Sequence, residues 1–466
     1  MNLKEAAKEI LRPFYYRLPT SVCYGPRFRS TLKLLDESEH WSAEQLAEHQ
    51  LTRLRALLLH AEQHVKYYKK LFRAAGFDPR QLRDPSGLRA LPLLDKETVR
   101  GNISDFLADN ISRHRMVYFT TGGSTGTPFG VYNTRNADGR ERAFMLTQWS
   151  RLGFQVEQPR AMLRGWPVHN RRHWRYVASE RAYVFSNFHM TALNVAEYAR
   201  TMKKKNLAYL HSYPSAVIEF ARRLQHLGME PPAFKAIFAS SENLYPGQRE
   251  LIESFFGTRL YSWYGHTENL ILAGECEVSN CYHIFPEYGV AEVIKPDGSP
   301  AEQEGEMGEL IGSSIDNYAM PLIRYKTDDW AVIGPPSCPC GRPYKLLQAT
   351  RGRWHQEMLV GKLDNLISIT ALNVHTDVFD RVQQAQFYQR EKGKVELRIH
   401  RKADYTERDS RRILAALDEK MGDTMHISLT FTEDIPLSPR GKFRLLVQEL
   451  EVPRPAFDEV AIESPL

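Results

Sequence analysis

Between residues 40 and 75 apolar side chains recur at helical spacing: Trp41, Leu46, Leu51, Leu54, Leu57, Leu58 and Ala61. A repeat of about 3.6 residues puts them on one face and predicts a helical N-terminal layer. Ser42 precedes Gln45 at capping-box spacing. Leu3–Leu11 suits a short amphipathic helix, either at a membrane surface or, as the favoured reading, packed on the body. The pattern turns strand-like at Met116–Phe119 and Val131–Thr134, predicting a hairpin around Thr120–Pro128. Arg140–Trp149 returns to helix. Residues 160–190 are aromatic and basic, with Trp166, Trp174, Tyr176, Tyr183, Phe185 and Phe188, and suit either an outer sheet or a wall of a substrate pocket.

A β–α alternation follows. The strand Leu207–Leu210 leads to a helix carrying Val217, Phe220, Ala221, Leu224 and Leu227, which stops at Gly228; Ser212 or Ser215 stands where a cap is needed. A strand at Ala236–Ala239, a helix from near Pro246 to Gly257 and a strand at Arg259–Ser262 continue it. Such spacing predicts a parallel sheet, with ligands at the C-terminal strand ends where Ser240–Glu242 and Trp263–Glu268 emerge. Residues 289–314 suit a hairpin turning at Pro296-Asp297-Gly298. From Lys362 the pattern becomes that of a small α+β unit: strand Lys394–His400, helix Arg411–Met421, strand Ile427–Phe431. The expected class is α/β, with a large N-terminal domain of parallel or mixed sheets and helices at 1–352, and a small mobile α+β C-terminal lid at 353–466.

The 466 residues exceed one core and suit two or more domains. With 42% hydrophobic and 25% charged residues the chain falls among soluble globular proteins. Apolar runs such as Ala56–Leu59 are far too short for a transmembrane segment, and Lys4, Glu5, Lys8 and Glu9 break any signal-peptide layout. A net charge of +6 is mild and calls for no nucleic acid. Arg171-Arg172-His173-Trp174-Arg175 and Lys203-Lys204-Lys205 suit solvated faces or an anionic cosubstrate. Five cysteines make no disulfide scaffold and point to a reducing, cytoplasmic setting. No pattern fixes the oligomeric state, and a homodimer is admitted.

The chemistry starts in the hairpin loop. Thr121, Gly122, Gly123, Ser124, Thr125, Gly126 and Thr127 supply backbone donors and small hydroxyls, which suits a polyphosphate. No Lys lies between Thr120 and Pro128 and a strand follows, so the loop is not a Walker A motif. At the later strand end, Tyr264 can stack a base, Gly265 leaves room, Thr267 can hold a phosphate oxygen and Glu268 can bind Mg²⁺. Asp329, after Pro321-Leu322-Ile323-Arg324-Tyr325-Lys326-Thr327-Asp328, can accept two vicinal hydroxyls. Lys442, in Pro436-Leu437-Ser438-Pro439-Arg440-Gly441-Lys442, offers a cation near the C-terminus.

Together and in this order the motifs resemble the adenylate-forming superfamily, which holds acyl- and aryl-CoA ligases, peptide-synthetase adenylation domains and luciferases. The resemblance covers nearly the whole chain. It is closest to the phenylacetate–CoA ligase branch, and within it to homologues found with capsule and O-polysaccharide biosynthesis; Tyr213-Pro214-Ser215, Ile367–His375 and Gln383 to Gln389 carry that subgroup likeness. It implies ATP on the Thr121–Thr127 loop, with adenine near Ser241, Glu242 and Tyr264. Asp329 and Arg353 would hold ribose or phosphate, Glu268 Mg²⁺, and Lys442 and Thr267 the transition state. The hinge acid is blurred, with Gln356 and Glu357 in its place, and Asp328 stands where the family has Gly. The expected reaction joins an organic carboxylate to AMP, releases pyrophosphate, and passes the acyl group to a thiol such as coenzyme A. An amine acceptor, for example an aminosugar, would make an amide synthetase. A non-catalytic nucleotide-binding homologue is the answer of another class, motivated by Asp328 and the blurred hinge. Relatives on this branch often carry a Cys, a His and a later Cys-x-Cys-Gly-Arg, which implies a structural Zn²⁺ on Cys276, His283, Cys338 and Cys340, with Cys281 as rival ligand.

Overall fold

A computed structural model describes residues 18, 20–121, 129–168, 173–245, 247–351, 358–372, 377–433, 435 and 444–450. The calls on Leu3–Leu11, Gly122 to Thr127, Arg353, Glu357 and Lys442 lie outside the described residues.

Among the described residues, twelve strands form one mixed sheet. Its parallel half consists of β3 (Arg160–Leu163), β5 (Ala182–Phe185), β6 (Tyr209–Ser212), β7 (Ala236–Ser240) and β8 (Leu260–Gly265), with β4 (Trp174–Val177) antiparallel at the edge. Beyond β8 every pairing is antiparallel, through β9 (Leu272–Gly274), β10 (Tyr282–Ile284), β14 (Leu346–Arg351), β13 (Tyr325–Ile333), β12 (Met307–Ser314) and β11 (Gly289–Ile294). The change occurs where the strand–helix repeat ends. The hairpin β1 (Met116–Thr121) and β2 (Phe129–Thr134) stands apart, with Thr121 opposite Phe129, as its two apolar runs predict.

Helices cover the sheet where their apolar stripes require it. The 40–75 layer is two helices, Ala43–His64 and Lys66–Ala75, because Val65 is extended and makes a bridge to Ala108. The capping box at Ser42 and Gln45 forms. The helix Pro214–His226 buries its Phe220 and Leu224 in the core, but neither Ser212 nor Ser215 caps it. Tyr213 occupies that position, and the Glu242 carboxylate accepts from the Ser215 amide instead (2.9 Å). The next helix starts at Gln248 and ends at Gly257, whose φ of 61° takes the left-handed turn that glycine tolerates. Among the described residues no helix is long and apolar enough to cross a membrane.

The C-terminal part pairs β15 (Met358–Val360) with β16 (Leu366–Ser368), and forms a four-stranded sheet from β17 (Val382–Glu391), β18 (Lys394–Arg401), β19 (His426–Phe431) and β20 (Leu446–Gln448). Its helix runs Glu407–Met421, a turn earlier than its apolar pattern indicates, because Thr406 and Asp409 form a capping box. Ile367, Leu372 and Leu397 share one core with Leu163, Phe185 and Phe220 of the parallel half. Gln389, fully buried, accepts from the Val360 amide (2.8 Å) and donates to the Val360 carbonyl (2.9 Å), joining the two small sheets.

Candidate active site

A cavity of about 580 Å³ opens at the C-terminal ends of the parallel strands, where an open α/β sheet takes its ligands. Ser241, Glu242, Tyr264, Gly265, Thr267, Glu268 and Asp329 all line it. Strand β8 runs through Gly265, so Tyr264 is a strand residue rather than the start of a loop. Its ring is buried, and its hydroxyl donates to Asp329 Oδ2 (2.8 Å), tying the aromatic motif to the one that supplies the acid. Burial raises the Asp329 carboxyl above its ordinary range, and the Tyr264 hydrogen bond works against that rise.

Glu268 is 7% exposed and bound by the Tyr325 hydroxyl (3.2 Å) and His266 Nδ1 (3.1 Å). Burial alone would raise its pKa. The hydrogen bond and charge of His266, with the charge of Lys96, outweigh it and hold the carboxyl at about 2. An ionised carboxylate with free lone pairs suits Mg²⁺.

Four non-glycine residues at these motifs take left-handed backbone: Ser241 (φ 69°), Asn269 (φ 55°), Arg324 (φ 54°) and Asp328 (φ 64°). Such strain gathers where side chains must be aimed. At Asp328 the chain keeps the turn a glycine would make, as Asp tolerates. Its carboxylate lies 3.8 Å from Lys96 Nζ. Arg324 binds Glu292 through Nε (3.0 Å) and a second nitrogen (3.1 Å), and its carbonyl accepts from Leu94 N–H (2.8 Å). That contact brings Lys96 to the cavity.

Glu242 is already engaged. Its oxygens accept from Ser215 N–H, Ser215 Oγ (2.9 Å) and Ser368 Oγ (2.5 Å), so one carboxylate joins the β7 end, a helix start and the C-terminal part. Ser241 Oγ accepts from Arg164 (2.8 Å). Lys96, Glu141, Arg164 and His211 also line the cavity, and the sequence motifs do not mark them. Each comes from a different element, so no local spacing could. The aromatic stretch 160–190 does not supply a wall of rings. Trp174, Tyr183 and Phe185 pack among themselves and with the core, and the stretch gives the cavity Arg160, Arg164 and Glu180.

A second cluster lies off the cavity. The donor atoms of Cys276, His283, Cys338 and Cys340 fall within 4.8 Å of one another. His283 Nδ1 donates to the Cys281 carbonyl (3.0 Å), which turns Nε2 toward Cys340 Sγ (3.3 Å). Cys281 thus contributes its carbonyl as an orienting group, as ligating histidines commonly require. A Cys₃His set fits Zn²⁺.

The family described as CapK_C, the CapK C-terminal domain, matches residues 359–449. The phenylacetate–coenzyme A ligase of Thermus thermophilus is 23% identical over 353 residues, covering 73% of this chain and 75% of the relative. The phenylacetate–coenzyme A ligase of Escherichia coli K12 is 24% identical over 347 residues, covering 73% and 76%. Among solved structures, 2-hydroxyisobutyryl-CoA ligase in complex with 2-HIB-AMP and CoA shares the fold with a TM-score of 0.59 at 18% identity, over 90% of this chain and 92% of that one. Over about three quarters of its length the chain is thus similar to phenylacetate–coenzyme A ligases, it shares the fold of 2-hydroxyisobutyryl-CoA ligase, and its residues 359–449 match the CapK C-terminal domain.

Proposed function

We propose that the chain activates an organic carboxylate with ATP–Mg²⁺ and passes the acyl group to a thiol such as coenzyme A. The observation that carries this reading is the Tyr264–Asp329 hydrogen bond beside ionised Glu268, at the mouth of a cavity that continues under the helix Ala137–Ser150. Tyr264 packs against adenine, flanked by Ser241 and Glu242, and Asp329 accepts from the ribose hydroxyls. Glu268 holds Mg²⁺. The Gly/Ser/Thr loop Thr121–Thr127, with Thr267 and Arg353, serves the phosphates.

The substrate carboxylate attacks the α-phosphorus. A P–O bond to the acid forms, the bond to the α,β-bridging oxygen breaks, and pyrophosphate leaves. Lys442 from the small C-terminal unit at 353–466, which pivots near Glu357, meets the charge that grows between acid and phosphate. In the second step the thiolate attacks the acyl carbon and AMP departs. The cysteine–histidine cluster takes a structural Zn²⁺. The cytoplasm suits the free thiols and the acceptor.

The test is pyrophosphate exchange into ATP with Lys442→Ala, alongside ATP binding by calorimetry. Exchange falls by about 100-fold or more while ATP affinity stays within about threefold. Unchanged exchange would remove the role given to Lys442.

A further inference from the structure

Glu141, on the helix Ala137–Ser150, lines the cavity and is partly exposed. Its two oxygens are used unequally. Oε2 accepts from the Tyr288 hydroxyl (2.6 Å) and from the Asn269 side-chain amide (3.3 Å). Oε1 has no hydrogen-bond partner among the described residues and stays open to solvent. Among the same residues no cation bonds this carboxylate. The Arg140 guanidinium is held by the carbonyls of Glu287 (2.9 Å) and Tyr288 (3.0 Å) and lies 3.4 Å from Asp316, while His266 binds Glu268 (3.1 Å). Both act on Glu141 only through space. Burial outweighs them and raises its carboxyl above the ordinary range.

The other acids of the wall are engaged. Arg142 (2.7 Å) and Arg160 (3.2 Å) share the Glu180 carboxylate, and Glu242 is taken by Ser215 and Ser368. Glu268 and Asp329 serve Mg²⁺ and the ribose in the adenylation reading. Among the described residues Glu141 is thus the acid left for the substrate. Its surroundings say which part of the substrate it meets. Asn269, which it binds, follows Glu268 in the chain, so Glu141 stands at the reacting end of the cavity. Met145 and Leu146 lie about 6–8 Å further along the helix axis. They line the cavity together with Trp263, and all three are partly exposed. An apolar body can rest there while a donor close to its carboxyl reaches Glu141.

Resting on the adenylation reading, we propose that the activated acid is an amino acid whose ammonium group, close to its carboxyl, donates to Glu141 Oε1, with an apolar side chain against Met145, Leu146 and Trp263. An ammonium brings both the donor and the positive charge that this carboxylate lacks, and such a charge-assisted bond is about twice as strong as a neutral one. The wall as a whole holds five carboxylates against four Lys and Arg side chains, which favours a cationic group over an anionic one.

Pyrophosphate exchange with matched series tests this: butanoate, 2-hydroxybutanoate, 2-aminobutanoate and 3-aminobutanoate; 3-phenylpropanoate, phenyllactate, phenylalanine and β-phenylalanine. At least one amino acid exceeds both its unsubstituted and its hydroxy counterpart in kcat/KM by about tenfold or more. Glu141→Gln lowers that ratio by about fivefold or more, and Glu141→Asp, which keeps the charge but withdraws it by one methylene, lowers it less. A preference for the unsubstituted or hydroxy acids, or a ratio that Glu141→Gln leaves unmoved, overturns the inference and leaves adenylation intact. An equal loss with every acid also overturns it, and marks Glu141 as a support for Asn269 and Tyr288 alone. Exchange with no acid removes the adenylation reading and the inference with it.

Discussion

Glu242→Ala isolates the bond set that links the sheet, a helix start and the C-terminal part. The native carboxylate accepts three hydrogen bonds, from Ser215 N–H, Ser215 Oγ and Ser368 Oγ. The amide suffers most from the loss, because it lies in the first turn of the helix Pro214–His226, where the N-cap residue Tyr213 makes no side-chain cap bond. An unmatched helix-start donor costs about 1–2 kcal/mol. The two hydroxyls can turn to other acceptors, so each adds about 0.5–1 kcal/mol. Burial raises the Glu242 carboxyl toward its neutral form, which argues against counting the bonds at full ionic strength. The sum is about 3 kcal/mol. With a urea slope of about 3 kcal/mol per molar for a chain this large, the midpoint of the transition that unfolds the parallel half falls by about 1 M. Urea titration followed by far-UV dichroism reads it. Ser368→Ala, which removes one hydroxyl and leaves the amide bonded, shifts the midpoint by a third of that or less. A shift below about 0.2 M in Glu242→Ala, with an unchanged slope, would refute the capping assignment.

Tyr264→Phe removes the hydroxyl that orients Asp329, so the KM for ATP rises about fivefold while the fold is kept; a Tyr264→Phe enzyme with wild-type KM would separate the two residues functionally. Glu268 titrates at about 2 in the fold against an ordinary 4.5, so its contribution is complete above about pH 4.5 and is lost as pH falls toward 2. Between pH 4 and 3 wild-type stability therefore drops about 1 kcal/mol faster than that of Glu268→Gln, and parallel profiles in urea titrations would contradict this. Elemental analysis of the purified protein is expected to give one Zn²⁺ per chain, with Cys338→Ser releasing it and lowering Tm; a metal-free protein of unchanged Tm would mark the thiols as ordinary core residues.

The sequence foretold the elements whose pattern is local. The 3.6 repeat, the Ser42 box and the β–α alternation all appear in the fold, and Tyr264, Glu268 and Asp329 meet at one cavity. Their order along the chain made that legible. What escaped was set by contacts across long separations. Val65 breaks a good helical pattern because Ala108, far along the chain, takes its backbone. Ser215 has the chemistry of a cap, yet the carboxylate of Glu242 serves the helix better. Lys96 carries no local motif and is brought to the site by the backbone contacts of Leu94 with Arg324 and Lys326. Arg164, just past the end of β3, and His211 on β6 are brought together by the pairing of those two strands. Asp328, which departs from the family pattern, proves compatible with the turn, and its left-handed φ is the reason.

Strand β20 bears on how the protein is made. It pairs in parallel with β17, Phe387 opposite Leu446, and Gln448 reaches both Gln389 (2.8 Å) and the Met358 carbonyl (3.0 Å). About 55 residues separate the end of β17 from the start of β20. At ribosomal speeds of roughly 5–20 residues per second, the β17 edge waits some 3–11 s for its partner. During that interval a strand with Phe387 and Tyr388 stands open to pairing with another nascent chain. Loss of the last 25 residues would make the delay permanent, so such a chain is expected in inclusion bodies even though most of its core is intact.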